Sequence, residues 1–143
     1  VGLILGGLAR PGVERDTMVL WCTDNGAEAR RPWRGSPGPW RGFYNSVMEG
    51  GIRTPCIIRW IGRIPGGRTT NEIVHELDLF PTFAAAAGAD IVPKDRPIDG
   101  VNQLPFLEGK QAHSSRESAL YFTGQHIRVD AGSLLKWLNG PGG

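Results

Sequence analysis

The chain has 143 residues, enough for one modest domain or for part of a larger one. With 40% hydrophobic and 21% charged residues it can build a core, which excludes compositional disorder. The net charge of +2 makes no electrostatic case for a nucleic-acid-binding protein. No apolar run approaches the roughly 20 residues of a membrane span. Two cysteines cannot make a disulfide-rich scaffold.

The first predicted elements are a helix over residues 1–10, ended by Pro11-Gly12, and a strand over 17–23. The apolar run at 17–23 is unbroken, which is typical of a strand buried on both faces in a parallel sheet. It stops abruptly at Asp24-Asn25-Gly26. This turn would lie at the carboxyl end of the strand, where open α/β sheets place their ligands.

The segment 28–51 is irregular, and a loop of that length is usually functional or disordered. A second strand is predicted over 54–60. A helix follows at 79–87, with Asp78 as its N-cap, and residues 90–109 form a loop with three prolines.

Short strands at 119–123, 127–129 and 134–138 predict a small terminal sheet. We therefore expect an α/β fold that contains part of a mainly parallel sheet flanked by helices, followed by the start of a small antiparallel sheet. The predicted boundaries are 1–110 for the α/β core and 111–143 for the terminal β subdomain. Because the chain opens inside an apolar segment, lacks a starting Met and closes on a glycine-rich end, we expect it to be a fragment.

Asp24 and Asn25 are the best candidates for chemistry. A carboxylate and an amide oxygen side by side after a strand suit a hard cation such as Ca²⁺ or Mg²⁺. Asp-Asn-Gly is also a favoured turn sequence, so a plain turn remains the alternative on these residues alone.

Arg41 and Arg53 are candidates for holding an anionic group, since Gly50-Gly51 would let main chain approach a ligand closely. A glycine turn with solvated charges is the alternative. His75 is expected to be satisfied by its neighbours at the approach to a helix rather than to act as an acid or base. Cys22 and Cys56 lie in apolar strand segments and are expected to pack in the core.

Taken in order, these pieces resemble the second half of an arylsulfatase-like chain, over about residues 1–122. Such chains belong to the sulfatase family of the alkaline-phosphatase superfamily. The strings that carry the resemblance are Thr23-Asp24-Asn25-Gly26, Trp40-Arg41-Gly42, Glu49-Gly50-Gly51-Ile52-Arg53-Thr54-Pro55, Gly62-Arg63-Ile64-Pro65, Asp78-Leu79-Phe80-Pro81-Thr82 and Ile98-Asp99-Gly100-Val101.

The resemblance implies a single Ca²⁺ (or Mg²⁺), with Asp24 and Asn25 as two of its ligands and an earlier Asp pair, absent here, as the others. It also implies a formylglycine nucleophile made from Cys/Ser-x-Pro/Ala-x-Arg. Neither Cys22 nor Cys56 nor any serine begins that pattern. We therefore expect the nucleophile in a missing N-terminal half and the present chain alone to be inactive.

One position departs from the family. Tyr44 stands where many sulfatases have a lysine that contacts the sulfate, and a tyrosine can donate a hydrogen bond but carries no charge at neutral pH. Either another cation, Arg41 or Arg53, takes the place of the lysine, or the substrate differs. Tyr44 and Arg41 are the expected substrate-binding residues.

The sequence thus predicts part of a metal-dependent sulfuric ester hydrolase acting on a small sulfate ester or a sulfated glycan. A phosphoesterase or phosphonate hydrolase of the same superfamily and a catalytically silent truncated domain are the alternatives. No nucleic-acid partner is expected. By resemblance, a full-length parent would be periplasmic, secreted or lysosomal.

Overall fold

The chain divides after Gly62 into two units, and the second begins at Arg63. The computed structural model describes residues 1–32, 34–123 and 126–129, with the backbone alone for 122, 123 and 126–129. None of the helices in these ranges is long and apolar enough to cross a bilayer. The first unit contains helix α1 (Gly2–Ala9), a 3₁₀ turn (Val13–Asp16), strand β1 (Val19–Cys22), the short helix α2 (Glu49–Ile52) and strand β2 (Cys56–Arg59).

The first unit is built on an antiparallel pair of strands. β1 pairs with β2 in a register that runs from Val19 opposite Arg59 to Cys22 opposite Cys56. The segment between the strands returns the chain in the opposite direction, whereas a parallel pair needs a crossover that brings it back to the same end. The prediction of a mainly parallel sheet is therefore not confirmed, because both strand pairs in the described ranges are antiparallel.

The side chains of this strand pair are more exposed to solvent than the apolar run at 17–23 predicts. The side chain of Trp21 is 42% exposed and that of Ile57 is 62% exposed. Cys22 is half-buried and Cys56 is exposed, so the prediction that both cysteines pack in the core is wrong for Cys56. Partial desolvation and the neighbouring Cys22 raise the pKa of the Cys56 thiol.

The second unit is mainly short helices and loops, with one strand pair. It contains a 3₁₀ turn (Glu76–Asp78), helix α3 (Leu79–Ala86), helix α4 (Leu104–Leu107), strand β3 (Leu120–Thr123) and strand β4 (His126–Val129). β3 and β4 pair antiparallel, as predicted for the terminal sheet. The strand predicted at 134–138 lies outside the described residues. The domain boundary predicted at residue 110 stays a prediction.

The start of α3 differs from the prediction in which side chain does the capping. The helical conformation begins earlier, at Glu76, and His75 is its N-cap. His75 Nδ1 accepts a hydrogen bond from the Leu77 amide at 3.1 Å, and Asp78 Oδ2 accepts one from the His75 amide at 2.9 Å. Asp78 therefore stands at the predicted N-cap position of α3, but its side chain makes no capping hydrogen bond there. The expectation that His75 is satisfied by its neighbours is confirmed.

A buried ion pair holds the second unit together. Asp78 is fully buried, and its carboxylate accepts hydrogen bonds from Arg116, with Nε 3.0 and 2.9 Å from the two oxygens and a terminal guanidinium nitrogen 2.6 Å from Oδ1. The amide of Val101 donates to the same carboxylate at 2.8 Å. Arg116 also donates to the carbonyl oxygen of Asp99 at 2.6 Å. One carboxylate and one guanidinium thereby join three separate stretches of chain.

Gln103 extends this arrangement and is itself fully buried. Its backbone amide donates to Thr82 Oγ1 at 2.9 Å, and its side-chain oxygen accepts from Ser114 Oγ and the Ser115 amide, each at 3.1 Å. Its side-chain nitrogen lies 3.3 Å from Asp78 Oδ2. The buried side chains of Asp78 and Gln103 are thus matched by partners, which is the condition under which burying a polar group is tolerated.

The balance of these contacts sets the pKa of Asp78. Burial alone would raise it, but the hydrogen bonds from Arg116 and from the amides of His75 and Val101 outweigh burial and hold the pKa below its usual range. Because the folded-state pKa is lowered, the contribution to stability is fully present above the unfolded value of about 4 and is lost as the pH falls through the folded-state pKa.

We predict that Asp78→Asn lowers the free energy of unfolding by about 3–5 kcal/mol, because it leaves the Arg116 guanidinium without its counter-charge. Urea unfolding at neutral pH measures this. The variant should also lack the part of the wild-type stability loss below about pH 4 that comes from protonation of this carboxyl.

Asp90→Asn is the matched control. Asp90 pairs with Lys94 at 2.6 Å, but both side chains are about three-quarters exposed, so the same chemical change should alter stability by less than about 1 kcal/mol. Equal losses in the two variants would contradict a structural role for the buried pair.

Candidate metal and substrate site

Two backbone contacts hold the Asp24-Asn25 turn in place. On one side, the strand pair ends with Cys22 opposite Cys56. On the other side, the amide of Gly26 donates to the carbonyl oxygen of Gly51 at 3.0 Å. The two chain segments therefore run side by side beyond the end of the ladder, and the turn lies between two fixed points.

Gly26 makes the second contact possible, and Gly50 lets the adjoining backbone pack closely. A Cβ added at Gly26 would lie 2.1 Å from the carbonyl oxygen of Gly50, and one added at Gly50 would lie 2.2 Å from that of Gly42. No side chain fits at either position, so glycine is required by space. The close approach expected at Gly50-Gly51 is present, and main chain occupies it. These residues belong to α2, a single helical turn, rather than to an extended bend.

The side chains of Asp24 and Asn25 differ in how they are held. Asn25 Nδ2 donates to the carbonyl oxygen of Gly26 at 2.9 Å, and the Asn25 carbonyl accepts from Thr23 Oγ1 at 3.1 Å. In the described part of the chain, no hydrogen bond or ion pair reaches Asn25 Oδ1 or the exposed carboxylate of Asp24. Two oxygen acceptors on adjacent residues are thus left available.

The same ranges contain no cluster of three or more His, Cys, Asp or Glu side chains that could hold a metal ion. Any ion at this turn would therefore draw only part of its ligand set from these residues. A hard cation of the size of Ca²⁺ takes six to eight oxygens, and two of them are available here.

The loop around the turn carries the predicted substrate-binding residues. The Tyr44 amide donates to the carbonyl oxygen of Ala27, and the Gly50 amide donates to that of Arg41, both at 2.8 Å. The Tyr44 side chain is 51% exposed. No ion pair or hydrogen bond holds the side chain of Arg41 or of Tyr44 within the described ranges. Their backbones are therefore tied to the segments that flank the turn while their side chains remain available.

Arg53 is committed elsewhere. Its Nε pairs with the Glu49 carboxylate, and its guanidinium lies 4.2 Å from the centre of the Trp40 ring. Arg53 is thus neutralised and stacked, which argues against its pairing with Arg41 to clamp an anion. This arrangement was not among the predictions, although a spacing of four residues, as between Glu49 and Arg53, favours such a pair.

Known proteins resemble this chain over most of its length. A family model described as "N-sulphoglucosamine sulphohydrolase, C-terminal" matches residues 39–128. The chain belongs to the sulfatase family. Steryl-sulfatase of Mus musculus is 34% identical over 98% of this chain and 22% of its own length.

Solved structures show the same fold. The PsFucS1 sulfatase from Pseudoalteromonas sp. superposes with a TM-score of 0.76 at 30% identity, covering 85% of this chain and 24% of that one. Ps i-CgsB, solved in complex with k-i-k-neocarrahexaose, gives a TM-score of 0.74 at 27% identity, covering 90% of this chain and 28% of that one. This sulfatase chain therefore spans about a quarter of the length of the relatives it matches, and the resemblance read from its motifs is confirmed.

We predict that Gly26→Ala destabilises this sulfatase chain by about 1–3 kcal/mol or more, since the new Cβ must displace the Gly50 carbonyl oxygen. Chemical denaturation measures the loss. Gly66→Ala is the control, because nothing lies within 4 Å of a Cβ at Gly66. It should stay within about 1 kcal/mol of the wild type, and an equally small effect at Gly26 would show that the close backbone contact is wrong.

Proposed function

We propose that this chain is part of a metal-dependent sulfuric ester hydrolase and that Asp24 and Asn25 supply two ligands to Ca²⁺ (or Mg²⁺). The observation that carries the proposal is the state of these two side chains. The amide nitrogen of Asn25 donates to the carbonyl oxygen of Gly26, which leaves Asn25 Oδ1 as an available acceptor beside the unpaired carboxylate of Asp24. The membership of the chain in the sulfatase family supports the assignment.

The donor set fits a hard cation. Both available atoms are oxygens, one charged and one neutral, as Ca²⁺ and Mg²⁺ prefer. Because two oxygens do not complete such a site, the remaining ligands would come from parts of a sulfatase that this chain does not cover. When bound, the ion would act as a Lewis acid that stabilises negative charge on the sulfate oxygens.

Arg41 and Tyr44 are proposed to contact the sulfate group. Arg41 can donate a pair of hydrogen bonds to an oxyanion, and its charge compensates for the lysine that Tyr44 replaces. Tyr44 can donate one hydrogen bond through its hydroxyl. Arg53 is left out of this role, since it is held by Glu49 and by the Trp40 ring.

The attacking group is not among these 143 residues. A formylglycine would require Cys/Ser-x-Pro/Ala-x-Arg, and that pattern is absent from the sequence. We propose that the nucleophile lies in the N-terminal part of a sulfatase and that this chain alone does not turn over a sulfate ester.

The proposed substrate is a small sulfate ester or a sulfated glycan. A steryl-sulfatase stands among the relatives, and a structural neighbour was solved with k-i-k-neocarrahexaose. The membership of this chain in the sulfatase family favours sulfate esters over the phosphate esters or phosphonates considered as the alternative.

We predict that Ca²⁺ binds at the Asp24-Asn25 turn with a dissociation constant on the order of millimolar, because few ligands are present. In an NMR titration, the amide signals of residues 23–26 should shift, and Asp24→Ala should abolish the shifts. Asp95→Ala, which removes an exposed carboxylate elsewhere, is the control and should leave them intact. Shifts that survive Asp24→Ala, or that fall elsewhere, would refute the assignment.

We also predict that the purified chain does not hydrolyse an aryl sulfate above the rate in buffer, with or without Ca²⁺, because the nucleophile is lacking. A chromogenic aryl sulfate assay tests this, with Asp24→Ala as the blank. Turnover by the wild type that disappears in the variant would mean that another residue of this chain attacks sulfur.

A further inference from the structure

Cys22 and Cys56 occupy directly opposed positions at the end of the β1–β2 pair. Opposed residues of an antiparallel pair project their side chains to the same face, with Cα atoms about 4.5–5.5 Å apart. Disulfides form between cysteines whose Cα atoms are about 4.4–6.8 Å apart. The register therefore brings two thiols to a distance that a single bond can bridge without a change of fold.

Both thiols are free, and at least one of them is accessible. Cys56 is exposed and Cys22 is half-buried. The chain has no other cysteine, so each thiol has one possible partner within the molecule. A small-molecule disulfide in solution can reach Cys56, and the opposed Cys22 is then the nearest thiol to the adduct.

We propose that Cys22 and Cys56 form a reversible cross-strand disulfide by exchange with a small-molecule disulfide. The Cys56 thiolate attacks one sulfur of that disulfide, forms a mixed disulfide and releases one thiolate. The Cys22 thiolate then attacks the Cys56 sulfur and displaces the second thiolate. Two protein thiols are oxidised, and one small-molecule disulfide is reduced to two thiols.

The disulfide would link the two strands next to the Asp24-Asn25 turn. Cys22 ends β1 two residues before Asp24, and Cys56 begins β2. A covalent link there closes a loop over residues 23–55, which contains the turn, the glycine contact and α2. The proposal stands on the register of the strands and is independent of the hydrolase function.

The test is to equilibrate the chain with reduced and oxidised glutathione, trap the thiols by acid quenching and alkylation, and map the cross-links by peptide mass spectrometry. We expect a monomeric product in which the peptide of Cys22 is joined to that of Cys56. The same equilibrium in urea should favour the cross-link less, by a factor on the order of 100, because the folded register holds the thiols together. Oxidation should raise the urea midpoint of unfolding, and dithiothreitol should reverse the rise.

The Cys56→Ser variant is the control. It should form only a mixed disulfide at Cys22 and show no rise in the unfolding midpoint. The proposal is overturned if the wild type yields only mixed disulfides or intermolecular dimers, or if the internal cross-link forms equally well in urea. The comparison between buffer and urea uses the unmodified chain and therefore holds even if a variant folds poorly.

Discussion

The first unit depends on the contact between the backbone of Gly26 and that of Gly50 and Gly51. The hydrogen bond from Gly26 to Gly51 continues the antiparallel course of β1 and β2 past the end of the ladder. Gly26 permits it, because a Cβ there would lie 2.1 Å from the Gly50 carbonyl oxygen, whereas Gly50 and Gly51 let the chain pack against the backbone of residues 41–46. Without it, the Asp24-Asn25 turn would be anchored on one side only. The proposed metal site therefore depends on glycine backbone as much as on the ligands themselves.

The two aspartates of interest show how surroundings separate a structural carboxylate from a candidate ligand. Asp78 is fully buried, and both of its carboxylate oxygens already accept hydrogen bonds from a guanidinium and from backbone amides. Asp24 lies exposed at the end of a strand, and no partner reaches its carboxylate in the part of the chain that the structure describes. The hydrogen-bonded carboxylate of Asp78 stabilises the fold, whereas the unpaired carboxylate of Asp24 beside the available amide oxygen of Asn25 is where we propose that a cation binds.

Local patterns in the sequence predicted local structure well. The strand ending at Cys22, the helix ended by Pro11-Gly12 and the helix that stops before Gly88 are all present. Gly88 has a positive φ of 65°, as a residue that ends a helix commonly does. These features follow from residues close together in the chain, for which spacing and backbone preference are sufficient.

The misses concern partners distant in sequence or competition among side chains. An apolar run does not reveal whether the neighbouring strand runs parallel or antiparallel. The parallel pairing predicted for β1 is therefore not confirmed. The partner of Asp78 is Arg116, 38 residues away, and no local signal indicates it. The prolines of segment 90–109 predict a loop, yet Pro105 lies in the first turn of α4, where its missing amide is not needed.

At the candidate site, the sequence predicts Asp24, Asn25, Arg41 and Tyr44 as functional residues, and the roles assigned to them stay predictions. The sequence alone did not establish that Arg53 pairs with Glu49, because a spacing of four residues permits such a pair without requiring it.

The most direct test of the account is a crystal structure of this chain grown with Ca²⁺ or a lanthanide substitute, with the ion located by its anomalous signal. We expect the signal at about 2.3–2.6 Å from an Asp24 carboxylate oxygen and from Asn25 Oδ1, with the bond from Gly26 to Gly51 intact. An ion bound only at other carboxylates, with Asp24 and Asn25 in water alone, would contradict it.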